Sequence, residues 1–224
     1  MSPKAISARV AAERFVAEAR SLPDRKVPAL RALRLERSRA WRDMPAAFIL
    51  DVAGRVAQRP DLRWTAYELI RFHRAAFRSL DEAMVDAFSV GLDSWDSVDA
   101  FARTLSGPAW AQGLVGDELV HRWARSRNLW LRRAALVSTV ALNRPADGGR
   151  VDAPRTLAIC QRLVGDREDM VVKALSWALR ELGRREPKPV AAFLESHGDR
   201  VAARIRREVG HKLSTGLKNP RRNK

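Results

Sequence analysis

The chain has 224 residues and carries 42 Lys and Arg against 26 Asp and Glu, a formal net charge of +16 at pH 7. Its 46% hydrophobic content excludes global disorder, and no uninterrupted apolar stretch is long enough to span a bilayer. So strong a positive field predicts a polyanionic partner, nucleic acid first, because each phosphate neutralised releases condensed counterions. Binding to an anionic membrane surface would require a Lys-rich amphipathic anchor, and none is present.

The cysteine content and the N-terminus bear on the cellular compartment. Cys160 is the single cysteine, so it cannot form an internal disulfide, and it lies in the apolar run 157–160, which predicts a buried structural thiol. Residues 1–20 alternate small apolar and charged side chains and lack the apolar core of a signal peptide. We therefore expect a soluble protein of the cytoplasm.

Helical periodicity dominates the chain, and most segments are separated by Gly or Pro. After a first helix whose end is flanked by Pro23 and Pro28, the predicted helices are 45–58, 62–74, 80–92, 94–105, 108–111, 117–125, 129–142, 154–164, 168–183, 187–196 and 200–213. The loop 143–149 is the clearest break. We predict a single helical domain over 1–215 and a basic, mobile tail over 216–224, since residues 218–224 have no apolar content.

Paired helices suggest an internal repeat. The segment 130–135 aligns with 170–175, and residues 62–67 have the same character. A period near 40 residues with two helices in each unit is typical of HEAT and armadillo repeats, which stack into a curved solenoid. The prediction is an all-α, HEAT-like or armadillo-type solenoid with a concave, basic, DNA-binding surface.

The helix predicted over 168–183 has two contrasting faces. One face is apolar, and the opposite stripe carries Lys173, Trp177, Arg180 and Arg184. A tryptophan within a basic stripe has two interpretations. Trp177 packs under a neighbouring helix or under arginine side chains, or it belongs to a nucleic-acid interface whose cations bind phosphates and whose indole contacts sugar or base.

The helix predicted over 94–105 has Asp93 or Ser94 as its N-cap. Its buried face is predicted to comprise Val98, Phe101, Ala102 and Leu105. Trp95 and Asp99 are neighbours on an adjoining face, one turn apart. Asp99 then either pairs with Arg103 four residues on, or provides a carboxylate that stabilises positive charge developing on a sugar.

Three segments, in this order, carry a family resemblance. Residues 95–99 (WDSVD), 125–135 (RSRNLWLRRAA) and 173–181 (KALSWALRE) resemble the AlkD-like family of bacterial DNA alkylation repair proteins. The resemblance covers roughly 60–194. It implies a HEAT-like solenoid that acts, without a cofactor, as a monofunctional DNA glycosylase on N3- and N7-alkylated purines in duplex DNA. We expect such a protein to act as a monomer in the bacterial cytoplasm and to associate with the nucleoid when it is bound to DNA.

The resemblance also implies roles for particular residues. Asp99, Trp95 and Trp177 match the active cleft, whereas Arg133 and Arg180 match arginines that hold the DNA backbone. Arg132 is an alternative to Arg133 for the same phosphate. Lys173 and Arg184 from the basic stripe are further candidates for phosphate contacts.

Such a mechanism is chemically reasonable. An N3- or N7-alkylated purine is already cationic, so it requires little general-acid help as it leaves. The barrier is formation of an oxocarbenium-like sugar, which the Asp99 carboxylate would stabilise.

Two other functions remain open. The chain could be a noncatalytic HEAT-like module that binds structured or damaged DNA, with Asp99 only a salt-bridge partner, or a solenoid that binds another protein. The latter would require an exposed apolar concave surface. A metal site is not expected, because the four histidines (His73, His121, His197 and His211) are scattered without ligand-like spacing.

Overall fold

The computed structural model describes residues 6–218, which contain helices and no strand. The prediction of an all-α protein is confirmed. The α-helices are α1 (Ala8–Ser21), α2 (Val27–Ala40), α3 (Ala46–Ala57), α4 (Arg63–Arg71), α5 (Arg74–Arg78), α6 (Glu82–Phe88), α7 (Trp95–Phe101), α8 (Gly107–Ala111), α9 (Asp117–Ala124), α10 (Leu129–Leu142), α11 (Ala153–Leu163), α12 (Asp169–Gly183), α13 (Pro187–His197) and α14 (Ala203–Thr215).

Two predictions about the first ninety residues were wrong. The helix α2 was missed because Pro28 was taken as a break, although proline fits the first turn of a helix, where its missing N–H costs nothing. The segment 62–74 was predicted as one helix, but α4 ends at Arg71. A new helix, α5, follows, capped by the His73 Nδ1 atom, which accepts from the Ala76 amide at 3.1 Å.

The chain forms two compact units that divide between Val90 and Gly91. In the first unit, α3 packs on α1, α4 and α5, and α2 packs on α4. The ring of Phe15 contacts that of Trp41, and Tyr67 is enclosed within the same unit. The prediction of a single domain over 1–215 is not tested by this division.

The second unit is a succession of helix pairs. The pairs are α9 with α10, α11 with α12, and α13 with α14, and the second helices of the pairs lie side by side because α12 contacts both α10 and α14. The helix α10 is central: it contacts α7, α8, α9, α11 and α12, and every residue from Arg133 to Leu142 is buried.

A close contact sets the path from α7 to α8. The helix α7 continues into a π-helical turn, Ala102–Ser106, and α8 begins at Gly107. A Cβ atom at Gly107 would lie 2.6 Å from the Ala102 carbonyl oxygen and 2.9 Å from the Ala141 Cβ, so only glycine fits. This approach holds the end of α7 against α10, the helix that carries Arg133.

The remaining sequence predictions concern the tail, the membrane and the cysteine. Thr215 ends α14, and Gly216 follows with a left-handed φ of 74°, whereas residues 219–224 of the predicted tail lie outside the described residues. Within residues 6–218, no helix is both long and apolar enough to cross a membrane. Cys160 is fully buried, as predicted, and burial raises the pKa of its thiol.

Candidate active site around Asp99

The start of α7 determines where Asp99 lies. Ser94 is the N-cap, as predicted, and its amide donates to the Ser97 Oγ atom at 3.3 Å in a reciprocal capping arrangement. The predicted buried face is also confirmed, since Val98 and Phe101 are inaccessible, as are Ala102 and Leu105 in the turn that follows. This anchoring leaves Asp99 on the side of α7 that borders α10.

Asp99 forms a bidentate ion pair with Arg133 of α10. The Arg133 Nε atom donates to Asp99 Oδ1 and Nη2 donates to Oδ2, each at 2.9 Å. The alternative in which Asp99 pairs with Arg103 is wrong, because Arg103 instead binds the Asp147 carboxylate at 3.0 Å. The carboxylate of Asp99 is therefore fixed in plane and orientation by a residue of a neighbouring helix.

Arg133 links three helices. Its Nη1 atom donates to the backbone carbonyl of Met170, in the first turn of α12, at 2.6 Å, while its other two nitrogens hold Asp99 on α7. Its side chain is only 6% exposed. The guanidinium would have to leave these partners before it could bind a phosphate, so its present contacts position Asp99.

The electrostatics of Asp99 are set first by burial. Burial raises the pKa of its carboxyl above the ordinary value, and the hydrogen bonds and charge of Arg133 only partly oppose the rise. The side chain is 19% exposed, and the two bonds from Arg133 use only part of the carboxylate's capacity to accept hydrogen bonds. The free lone pairs of Asp99 can therefore still face a ligand.

The two candidate tryptophans differ in their surroundings. Trp95, the first residue of α7, is 57% exposed and lies one helical turn before Asp99. Trp177 is partly buried on α12, about two turns and roughly 10 Å along the axis beyond Met170. The structure thus brings Trp95, Asp99 and Arg133 together and places Trp177 further along the helix that Arg133 contacts.

Arg180 belongs to a hydrogen-bonded network between α12 and α14. Its Nε atom donates to the Ser176 Oγ at 3.2 Å, and that hydroxyl donates to Glu208 of α14 at 2.7 Å. The guanidinium lies 3.8 Å from the Glu208 carboxylate and is 16% exposed. Burial lowers the pKa of Arg180 from its ordinary value, although an arginine remains protonated throughout the physiological range.

The three remaining basic candidates differ in how firmly other residues of the protein bind their side chains. Arg132 is bound to Asp166 at 2.7 Å and to two backbone carbonyl oxygens, and its side chain is 17% exposed. Lys173 and Arg184 are more exposed and form only pairs within α12 or at its end. Exposed pairs of this kind contribute little to stability, so a polyanion can compete for the cations.

Sequence reasoning missed the partners that hold these arginines. Asp166, Glu208 and the Met170 carbonyl each join one helix pair to another. Both arginines lie 34 residues from their carboxylates, but Asp99 precedes Arg133 whereas Asp166 follows Arg132, so the equal spacing is not a repeated pattern and gave no signal. A backbone carbonyl such as that of Met170 leaves no signal in the sequence.

The possible metal ligands among the side chains of the described residues are dispersed. Within the part of the chain that the structure describes, no group of three or more His, Cys, Asp or Glu side chains could hold a metal ion. The candidate residues at the site are a carboxylate, two indoles and a set of guanidinium groups, and the guanidinium groups are suited to an anionic ligand.

The fold and the site together define the class of protein: an all-helical protein of paired helices in which a buried arginine holds a carboxylate near an exposed indole. The family model of DNA alkylation repair enzymes matches residues 10–213, and the chain belongs to this family. No curated protein and no solved structure matches the chain. DNA alkylation repair is therefore the process in which the protein acts, and DNA is its partner.

Proposed function

We propose that the protein is a monofunctional DNA glycosylase that hydrolyses the N-glycosidic bond of N3- and N7-alkylated purines in duplex DNA. In this proposal the helix pairs form a HEAT-like solenoid whose concave surface is basic and holds the duplex. The stacking of α10, α12 and α14 in the second unit supports the repeat architecture. Membership in the DNA alkylation repair family supports the choice of substrate.

The single observation that carries the proposal is the state of Asp99. Its carboxylate is held at 2.9 Å by the Nε and Nη2 atoms of a buried arginine, it keeps some exposure, and an exposed tryptophan lies one helical turn away. A surface ion pair formed for stability alone does not require so firm an orientation. A preorganised carboxylate is suited to stabilising positive charge that appears only in a transition state.

The proposed reaction needs no metal or cofactor. The bond between the sugar C1′ and the purine nitrogen breaks, and both electrons leave with the base, which thereby loses its positive charge. The developing oxocarbenium ion is stabilised by Asp99. A water molecule then adds to C1′, and its proton passes to the Asp99 carboxylate, which is a better base because burial raises its pKa.

The other candidate residues bind and position DNA in this proposal. Trp95 contacts the sugar beside Asp99, and Trp177 borders the same cleft from α12. Lys173, Arg180 and Arg184 bind backbone phosphates without reading sequence. Arg133 positions Asp99 rather than contacting a phosphate, because all three of its donor nitrogens already have partners within the protein.

The decisive experiment is release of free base from duplex DNA that carries one N7-methylguanine. We expect release by the native protein and a loss of about 100- to 1000-fold in Asp99→Asn, the range found when one preorganised electrostatic group is removed. Asp147→Asn is the matched control, because Asp147 is a similarly buried carboxylate of the same unit that pairs with Arg103. Equal rates for the native protein and Asp99→Asn would contradict the proposal.

A noncatalytic DNA-binding module is the second candidate. It is favoured by the first unit, where Glu68 makes an equally tight pair with the buried Arg34, which shows that this chain also uses such pairs away from the candidate site. If neither the native protein nor Asp99→Asn releases base while both bind duplex DNA with a steep salt dependence, this candidate replaces the glycosylase.

A further inference from the structure

An exposed aromatic ring lies among arginines on the first unit, away from the residues of the candidate active site in the sequence. Phe72, the C-cap of α4, is 62% exposed, an unusual state for so large an apolar side chain. Leu35 of α2 is also exposed, at 42%. These two residues together with Arg39, Arg42, Arg74 and Arg78 are called the Phe72 surface below.

The Phe72 surface is concave. One cleft of about 330 Å³ is lined by Phe72 and Leu35 together with arginines of α2 and its C-terminal end. A second cleft of about 550 Å³ is lined by Arg74 and Arg78 and the neighbouring His73. Arg42 lines both, so an apolar cleft and a basic cleft adjoin each other. Both clefts are shallow and open to solvent, so they are suited to an extended ligand that lies across the surface.

The ring of Phe72 is held in place before any ligand arrives. The guanidinium carbon of Arg34 lies 4.8 Å from the centroid of the ring. Arg34 is itself fixed, because its Nε atom donates to Glu68 at 2.8 Å and its side chain is 5% exposed. A planar group that stacks on Phe72 would therefore lose little side-chain entropy in the protein.

The charges around the ring are unbalanced. Arg39, Arg74 and Arg78 are exposed, and among the described residues none of them forms an ion pair. Arg42 pairs with Asp43 at 3.1 Å, but both side chains are largely exposed, so this pair is weak. The surface thus combines an accessible aromatic face with several uncompensated cations, which is the combination that binds unpaired nucleotides.

We propose that the Phe72 surface binds an unpaired segment of DNA, with a base stacked on Phe72 and Leu35 and the adjoining phosphates held by Arg42, Arg74 and Arg78. Duplex DNA could satisfy the arginines but not the ring, because the faces of its bases are already stacked on each other. This inference goes beyond the proposed glycosylase function and does not depend on base excision.

Fluorescence anisotropy with two labelled oligonucleotides tests the stacking. One is a short oligothymidine and the other has the same length but abasic sugars, so that only the first offers bases. We expect Phe72→Ala to weaken binding of oligothymidine about 5- to 100-fold and to leave binding of the abasic strand unchanged, whereas Phe72→Tyr retains native affinity. Because Phe72 is exposed, thermal unfolding should change little.

The arginines are tested by the salt dependence of the same binding. The double variant Arg74→Ala/Arg78→Ala should reduce the slope of log affinity against log salt by about 1.4, because each phosphate contact to a single strand contributes about 0.7. The matched control is Arg20→Ala/Arg59→Ala, which removes two exposed arginines that line a different cleft of the first unit. The control should leave the slope close to native.

Three results would overturn the inference. These are equal affinity of the native protein and Phe72→Ala for oligothymidine, equal loss in the two arginine double variants, and competition by free phosphate at the concentrations at which an oligonucleotide competes. The last would reduce the surface to an anion site. Base release from alkylated duplex DNA should stay native in Phe72→Ala, so a failure of the glycosylase proposal is distinguishable from a failure of this one.

Discussion

Glu68 in the first unit and Asp99 in the second are carboxylates held in nearly the same way. Each is bound by a buried arginine that lies 34 residues away in the sequence, and in each case the arginine is almost inaccessible. Glu68 accepts from a second arginine, Arg31, at 3.1 Å. Asp99 has one arginine partner and an exposed tryptophan one turn away.

The difference separates a structural carboxylate from a candidate catalytic one. Glu68 has two cationic partners and 11% exposure, so its charge is neutralised within the protein. Asp99 keeps more exposure, has a single arginine as its ion-pair partner, and has a pKa that burial raises. The same device, a carboxylate held across helices by an arginine, can thus serve stability in one unit and leave a charge available to a ligand in the other.

The largest expected effect comes from removing Arg133, because among the described residues Asp99 has no second arginine as an ion-pair partner, whereas Glu68 has two. Arg133→Leu leaves the largely buried Asp99 without a hydrogen-bonded cation, and we expect the free energy of unfolding to fall by about 3–5 kcal/mol. Arg31→Leu is the matched change at Glu68, where Arg34 remains, and should cost less than about 1 kcal/mol. Urea denaturation measures both, and similar losses in the two variants would remove the distinction.

Replacing each of the two carboxylates by the corresponding amide should separate effects on the free energy of unfolding from effects on base release. Glu68→Gln should lower the free energy of unfolding by about 1.5–3 kcal/mol, because Arg34 is buried and loses a charged partner, while base release per folded molecule stays native. Asp99→Asn likewise takes the charged partner from the buried Arg133 and should cost a similar free energy of unfolding, but it should also lose base release per folded molecule. A large loss of base release in Glu68→Gln, measured under conditions where it is folded, would contradict the comparison.

The smallest expected effect is a dependence on pH. Because burial raises the pKa of Asp99, its ionised form is lost at a higher pH than that of an ordinary aspartate, and base release should fall as the pH drops through this value. The same shift means that protonation of Asp99 favours the folded state, so its ionisation costs stability above the raised pKa. A rate that stays constant down to the ordinary range of aspartate would contradict this assignment.

Much of the helical fold was predictable from the sequence because most helices are long and carry a regular apolar stripe. The bounds of α10 were predicted as observed, and those of α12 to within one residue. The errors occurred where proline or a short polar segment has two possible roles, as at Pro28 in the first turn of α2 and at His73 between α4 and α5. Local sequence does not distinguish a helix start from a break there.

The sequence singled out two residues that the structure joins, Asp99 and Arg133, but it did not predict their contact. Arg133 was predicted to contact a DNA phosphate. The ion pair considered for Asp99 was with Arg103, a neighbour four residues on. The observed pair joins α7 to α10 and depends on the close approach at Gly107. Periodicity along one helix carries no information about which side chain of another helix it will meet.

The burial of Cys160 has a consequence for a protein that works where DNA is being alkylated. Electrophiles that methylate purines also attack sulfur, and they react with the thiolate rather than the thiol. The single thiol of this chain is fully buried, and its raised pKa keeps it protonated. The protein therefore exposes no cysteine nucleophile to the agents whose damage its family repairs.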